Sequence, residues 1–194
     1  MKQTIKVGVA IVLLSVAIHA QEWGEKNHVY FGYTTQTGNF SPNGLEGGLD
    51  WRIKRPFAIV LEGSFLGAKE RINDADTDLP IIGVTNIRID ADAWNVQGGG
   101  RFFFNKAFRS PKFIPFAHLL YGVSHESTDI EFVGSDFNIG SASDTNWSWS
   151  LGVGADYWFN KKWAVRRKVD WLKTHFRDEG QSKARFAFEA NYNF

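Results

Sequence analysis

The sequence predicts an all-β fold: an eight-stranded antiparallel up-and-down transmembrane β-barrel, preceded by a cleavable signal peptide. Three observations predict it. Apolar and polar residues alternate with period 2 in segment after segment from Asn27 to Phe194, the pattern of half-buried strands. The connections between segments are short at one end and long and polar at the other, as in a meander with one plain end and one decorated end. The chain also carries 17 Phe, 8 Trp and 5 Tyr with 19 Gly and one Met, a weighting toward strands and tight turns.

Residues 1–20 read as a secretory signal peptide and residues 21–194 as one barrel domain. Lys2 and Lys6 form a basic start, residues 7–18 form an apolar run, and Ala20 precedes the expected cleavage point. The competing reading is a short anchor helix, but the run falls short of the ~20 residues a spanning helix needs. There is no cysteine, so disulfides, thiolate metal sites and a lipoprotein signal are all excluded. A net charge of +1 leaves no basic footprint for nucleic acid.

The strands follow in order. VYFGYTT sets Val29, Phe31 and Tyr33 on one face. LEGGLDWRI sets Leu45, Leu49, Trp51 and Ile53 against Glu46, Gly48, Asp50 and Arg52. FAIVLEGSF sets Phe57, Ile59, Leu61 and Phe65 against Glu62 and Ser64. WNVQGGGRFFF sets Trp94, Val96, Phe102 and Phe104 against Asn95, Gln97 and Arg101. FAHLLYGVSH sets Ala117, Leu119, Tyr121 and Val123 against His118 and Ser124. WSWSLGVGADYWF sets Trp147, Trp149, Leu151, Val153 and Tyr157 against serines, glycines and Asp156. WAVRRKVDWL sets Trp163, Val165, Val169 and Trp171 against Arg166, Lys168 and Asp170. FAFEANYNF closes the series. Short connections fall at 54–56, 105–112 and 160–162, and long ones at 36–44, near 70–90, near 127–145 and at 177–181.

Alternation does not say which face is outside. In a soluble carrier the apolar face points inward, and in a membrane barrel it points outward. The polar face here is Gly, Ser and Ala broken by charges of both signs: Glu46, Asp50, Glu62, Asp156, Asp170 and Glu189 against Arg52, Arg101, Arg166, Lys168, Lys183 and Arg185. Small residues with balanced charge suit a crowded interior in which each charge needs a partner. Aromatic residues also gather at both strand ends, as two interfacial belts would require. The apolar face is therefore assigned to lipid. Arg167 has the parity of that face, so either its side chain snorkels or a bulge shifts the register.

FAFEANYNF places Phe186, Phe188, Ala190, Tyr192 and Phe194 on alternate positions. In this it resembles the last strand of the small OmpA-like outer-membrane β-barrels of Gram-negative bacteria. LGVGADYWF and VRRKVDWLKTHF are similar to the strands before it, and the likeness covers residues 27–194. The resemblance implies the cell outer membrane, contact with its lipid and lipopolysaccharide, and a terminal strand that the barrel assembly machinery reads through Phe188, Tyr192 and Phe194. It implies no cofactor, and the expected form is a monomer. The peptidoglycan-binding domain that follows the barrel in longer relatives is not expected.

Other chemistry is weighed against this frame. His125 and Ser127 share a face near the outer rim, with Glu131 beyond. Outer-membrane lipid A deacylases carry a similar pair, but Thr128 stands where that family has Asn. An ordinary polar rim is the preferred reading. The carboxylates at 74–78 and 136–144 lack EF-hand spacing, and Gly98, Gly99 and Gly100 lack the strand–loop–helix setting of a phosphate site. His118 is expected to hydrogen bond within the interior. The expected role is a barrel with a side-chain-filled lumen, structural or acting through its long loops, without catalysis. A deacylase-like enzyme, an OmpW-like conduit for small apolar molecules and a periplasmic carrier are the alternatives.

Overall fold

A computed structural model describes residues 27–38, 41–54, 56–73, 86–104, 112–132, 138–176 and 179–194. The expected signal peptide and the acidic stretch at 74–78 lie outside the described residues. The strands are β1 (His28–Gln36), β2 (Asn43–Lys54), β3 (Phe57–Asn73), β4 (Asn86–Phe103), β5 (Phe113–Phe132), β6 (Asn138–Trp158), β7 (Trp163–Phe176) and β8 (Glu179–Asn193). Each pairs antiparallel with the next, and β8 returns to pair with β1, so the sheet closes as a barrel. Closure satisfies the edge N–H and C=O groups that hydrocarbon could not.

Turn chemistry fixes the plain end. Between β6 and β7, Asn160 Oδ1 accepts hydrogen bonds from the backbone N–H groups of Lys162 and Trp163 at 2.8 and 2.9 Å. An Asn side chain mimics a backbone turn in this way. Between β2 and β3 the register shifts at Arg52/Lys54, a bulge that lets the chain reverse over few residues.

The alternating pattern is reproduced in the burial of the wall. Phe31, Leu45, Ile59, Leu119, Val153, Trp171 and Phe188 stand on the outside, whereas Glu46, Asp50, Glu62, Arg101, Arg166 and Glu189 are buried inside. Trp51, Phe57, Tyr157, Phe159 and Trp163 ring the short-turn end, and Trp94, Trp147 and Trp171 lie toward the other.

The long connections depart from expectation. Much of the stretches near 70–90 and 127–145 is strand, because β3 continues to Asn73, β4 starts at Asn86, β5 runs to Phe132 and β6 starts at Asn138. The ladder runs unbroken out to Asn73↔Asn86 and Ile87↔Phe132. β2 leaves β3 at Asn43↔Gly67, and β7 leaves β6 at Ser148↔Thr174. Strands β3 to β6 therefore rise beyond the rest of the barrel as a sheet of their own. Its sequence reads as loop because hydrophobic alternation marks a strand only where one face is apolar. NIGSASDT offers no such face.

Candidate functional site

The lumen is the densest chemistry in the molecule. Asp50 on β2 accepts two hydrogen bonds from Arg101 Nη1, at 2.7 and 2.9 Å, and one from Arg166 Nη2 at 2.7 Å. Arg166 also donates Nε to Asp156 Oδ1 at 2.7 Å. Its partner in register is Glu189, but Nε lies 4.0 Å from that carboxylate. Arg185 donates Nη2 to Asp170 Oδ2 at 2.6 Å and to Glu62 Oε1 at 2.7 Å, and its Nη1 lies 3.4 Å from Glu46. Lys168 bridges Glu46 and Glu62, with Asp170 3.5 Å and Glu189 3.8 Å from its ammonium. Strand tilt brings β2, β3, β4, β6, β7 and β8 to this one layer. In a barrel of eight strands the bore is about as wide as the side chains that fill it.

The carboxylates of Glu46, Glu62 and Asp170 approach one another closely enough to suggest a cation site. The cation at that place is the ammonium of Lys168. His118 completes the layer, with Nε2 2.9 Å from Asp170 Oδ1. Gly152 faces His118 across the β5–β6 ladder. A Cβ there would lie 2.0 Å from Asp170 Oδ1 and 2.5 Å from His118 Nε2, so only glycine leaves space for this contact.

Two of the twelve expected interior charges stand apart. The Arg52 guanidinium packs 3.3 Å from the ring centre of Phe103, a cation–π contact, and no ion pair of its side chain occurs among the described residues. Lys183 lies nearer the outer mouth and pairs at 2.6 Å with Glu126, which also accepts from Thr174 at 3.1 Å. Glu126 escaped the sequence reading, although it lies between outward-facing His125 and Ser127 and so has inward parity.

The charge layer has a distinct floor and roof. Toward the short turns lie Ala58, Phe103, Ile114, Phe116, Trp158 and Ala164, a buried apolar cluster. The guanidiniums of Arg101 and Arg166 sit 4.5 and 4.8 Å from the Phe116 ring centre. The Tyr30 hydroxyl donates to Glu62 at 2.9 Å. On the other side Asn95 and Gln97 donate to Ser148 Oγ at 3.1 and 3.0 Å, and Ser150 donates to Gln97 Oε1 at 2.8 Å. The inward aromatics were not foreseen, because the alternation in FFF and DYW does not say that Phe103 and Trp158 pack together inside.

The sequence matches the family described as "Outer membrane protein beta-barrel domain" over residues 8–194. The chain belongs to that family. It is a protein of the cell outer membrane. Solved structures similar to it include Ail, the attachment invasion locus protein of Yersinia pestis. That match has 15% identity and a TM-score of 0.56, and covers 88% of this chain and 99% of that one. Ail has also been solved with the heparin analogue sucrose octasulfate. Neisserial surface protein A matches at 8% identity and a TM-score of 0.52, over 87% of this chain and 96% of that one. OprG of Pseudomonas aeruginosa matches at 12% identity and a TM-score of 0.50, over 89% and 97%. At these identities the likeness is one of fold. None of the curated proteins matches the sequence.

Within this family frame, Phe188, Tyr192, His125 and Ser127 carry the parity of the outer wall. On the closing strand, Phe188 pairs with Tyr33, Tyr192 with Val29, and the Phe194 N–H donates to Asn27 O at 3.1 Å. His125 hydrogen bonds through Nδ1 to Thr145 Oγ1 at 2.7 Å and stacks on Trp94. Ser127 pairs in register with Asp92 and Ser143, and Thr128 with Ala91 and Ala142. Glu131 belongs to β5, where the β5–β6 register shifts.

Proposed function

We propose that the protein is a closed, non-catalytic outer-membrane barrel whose lumen is filled by its own charges and whose interactions are made at the loop end. The observation that carries this is the charge layer. Arg101, Arg166 and Arg185 are each 0% exposed, and each is held by carboxylates from other strands. Moving any one leaves a buried charge unpaired, which is strongly unfavourable. The apolar floor beneath adds a second closure. A concavity of about 500 Å³ opens at the outer mouth, lined by Gln36, Pro42, Glu126 and Lys183 among others. The raised part of β3 to β6 beside it presents polar backbone and side chains to the outside.

Planar bilayer recording tests the closed lumen. The wild-type barrel should show no steady conductance. A large, stable, ohmic channel would overturn the reading, and passage of small apolar solutes would favour a conduit. For catalysis, overexpression should leave the host's lipid A acylation unchanged. Loss of an acyl chain that depends on His125 or Ser127 would make the protein an enzyme.

The closing strand is read as the signal for the assembly machinery, with Phe188, Tyr192 and Phe194 as its recognised face. Deleting Phe194 should lower outer-membrane yield and leave unfolded chains in the periplasm. Normal assembly of the shortened chain would contradict this.

A further inference from the structure

One charge stands on the wrong side of the wall. Between the Trp163 and Trp171 ends of β7, Arg167 faces outward and is exposed. It is the one side chain charged at neutral pH among the described outward residues of β7 between those two tryptophans. No bulge accounts for it, since Arg167 pairs in regular register with Ala155 on one side and Phe188 on the other. Its guanidinium lies 5.4 Å from the Phe188 ring centre, and no carboxylate pairs with it among the described residues. A charge at the middle of the bilayer costs about 2–4 kcal/mol on a barrel wall, less toward the interface.

The wall beside Arg167 is hollowed. A concavity of about 740 Å³ runs across β5, β6, β7, β8 and β1, with Pro115, Ala155, Val169, Phe186 and Tyr33 among its lining. Small residues form its floor because Pro115 and Ala155 precede Arg167 along one row of the ladder. The larger rings of Phe186 and Phe188 stand above them. The volume falls within the ~300–1,000 Å³ of ordinary ligand sites.

Position along the strand selects the leaflet. Arg167 is four residues from Trp163, which belongs to the short-turn belt. At ~3.3 Å per residue and a tilt near 40°, that is about 10 Å into an apolar band of about 25 Å. The side chain can therefore reach back toward the short-turn interface, which is the periplasmic one in barrels of this kind. A second copy of this chain would not suit the groove. The described outward carboxylates, Asp90, Asp92 and Asp129, sit on the raised sheet and not on this band.

We propose that Arg167 and the groove beside it form a binding site for one anionic phospholipid of the inner leaflet, its phosphate on the guanidinium and an acyl chain along Ala155, Val169 and Phe186. The lipid phosphate supplies the counter-charge that no described carboxylate provides. The acyl chain fills the hollow that the small side chains leave.

The test is lipid retention by the folded barrel in native mass spectrometry. The barrel is offered phosphatidylglycerol, phosphatidylethanolamine and lipopolysaccharide in equal amounts. Wild type should retain one phosphatidylglycerol. Arg167→Leu should retain about tenfold less, the scale of one charge-assisted contact, and Arg167→Lys should fall between them. Ala155→Trp, which fills the groove and leaves the charge, should also lose the lipid. Excess inorganic phosphate should not displace it. Heat-modifiability on gels checks that each variant is folded. Equal retention by wild type and Arg167→Leu would overturn the proposal. So would preference for lipopolysaccharide or phosphatidylethanolamine, displacement by phosphate, or a lipid-free dimer.

Discussion

Below the outer aromatic belt and above it, the same strands obey different rules. Below, each residue of β3 to β6 answers either to lipid or to the lumen, so Leu61 is outside and Glu62 inside with nothing between. Above, the same four strands continue through Lys69, Asp90, Asp129 and Ser143 with water available to both faces. The lower storey is held by side chains, through ion pairs and ring contacts that join strands far apart in sequence. The upper storey is held mainly by its backbone ladder, with isolated pairs such as Arg88–Asp90 at 3.0 Å. Stability and tolerance to substitution should divide along this line.

The largest effect should come from breaking the charge layer. Asp170→Ala removes the partner of Arg185, the His118 contact and one neighbour of Lys168. It should cost about 3–5 kcal/mol in a urea unfolding titration of the folded barrel. A cost near zero would mean that the layer is wet and adaptable. Gly152→Ala should come next, at about 1–3 kcal/mol, because its methyl must push Asp170 and His118 apart. Adding His118→Ala should recover part of that loss in a double-mutant cycle, and strict additivity would show that the crowding is elsewhere. The smallest effect should be Asp129→Ala on the raised sheet, within about 0.5 kcal/mol. If it rivals Asp170→Ala, the two storeys are not different after all.

Much of the lower storey was legible in the sequence because lipid and lumen impose opposite demands on neighbouring residues. LEGGLDWRI states both demands in nine letters, and Glu46, Asp50 and Leu49 can be assigned faces from parity alone. Partner choice was legible only along the ladder. Asp170 with Arg185 is a register neighbour, and parity with strand order narrows the partner of Asp170 to Lys183 or Arg185. Asp50 with Arg166 spans the bore from β2 to β7, and such contacts depend on tilt and stagger, which alternation does not encode. The aromatic floor stayed hidden for a related reason: Phe103 has lumen parity, but parity does not say that its ring packs with Phe116 and Trp158. The upper storey stayed hidden because water accepts either face, so selection leaves no period-2 trace there.

The seam between β1 and β8 also bears on kinetics. Thr34 Oγ1 donates to Phe186 O at 3.2 Å, a contact between residues 152 apart in the chain. All other neighbouring strands can zip as hairpins from local turns, but this pair must wait until its two ends meet. Loop-closure entropy falls due before the pairing rewards it, and topologies dominated by such contacts form slowly. Ring closure is therefore the natural rate-limiting event. Until it occurs, β1 and β8 are both open templates for the wrong partner.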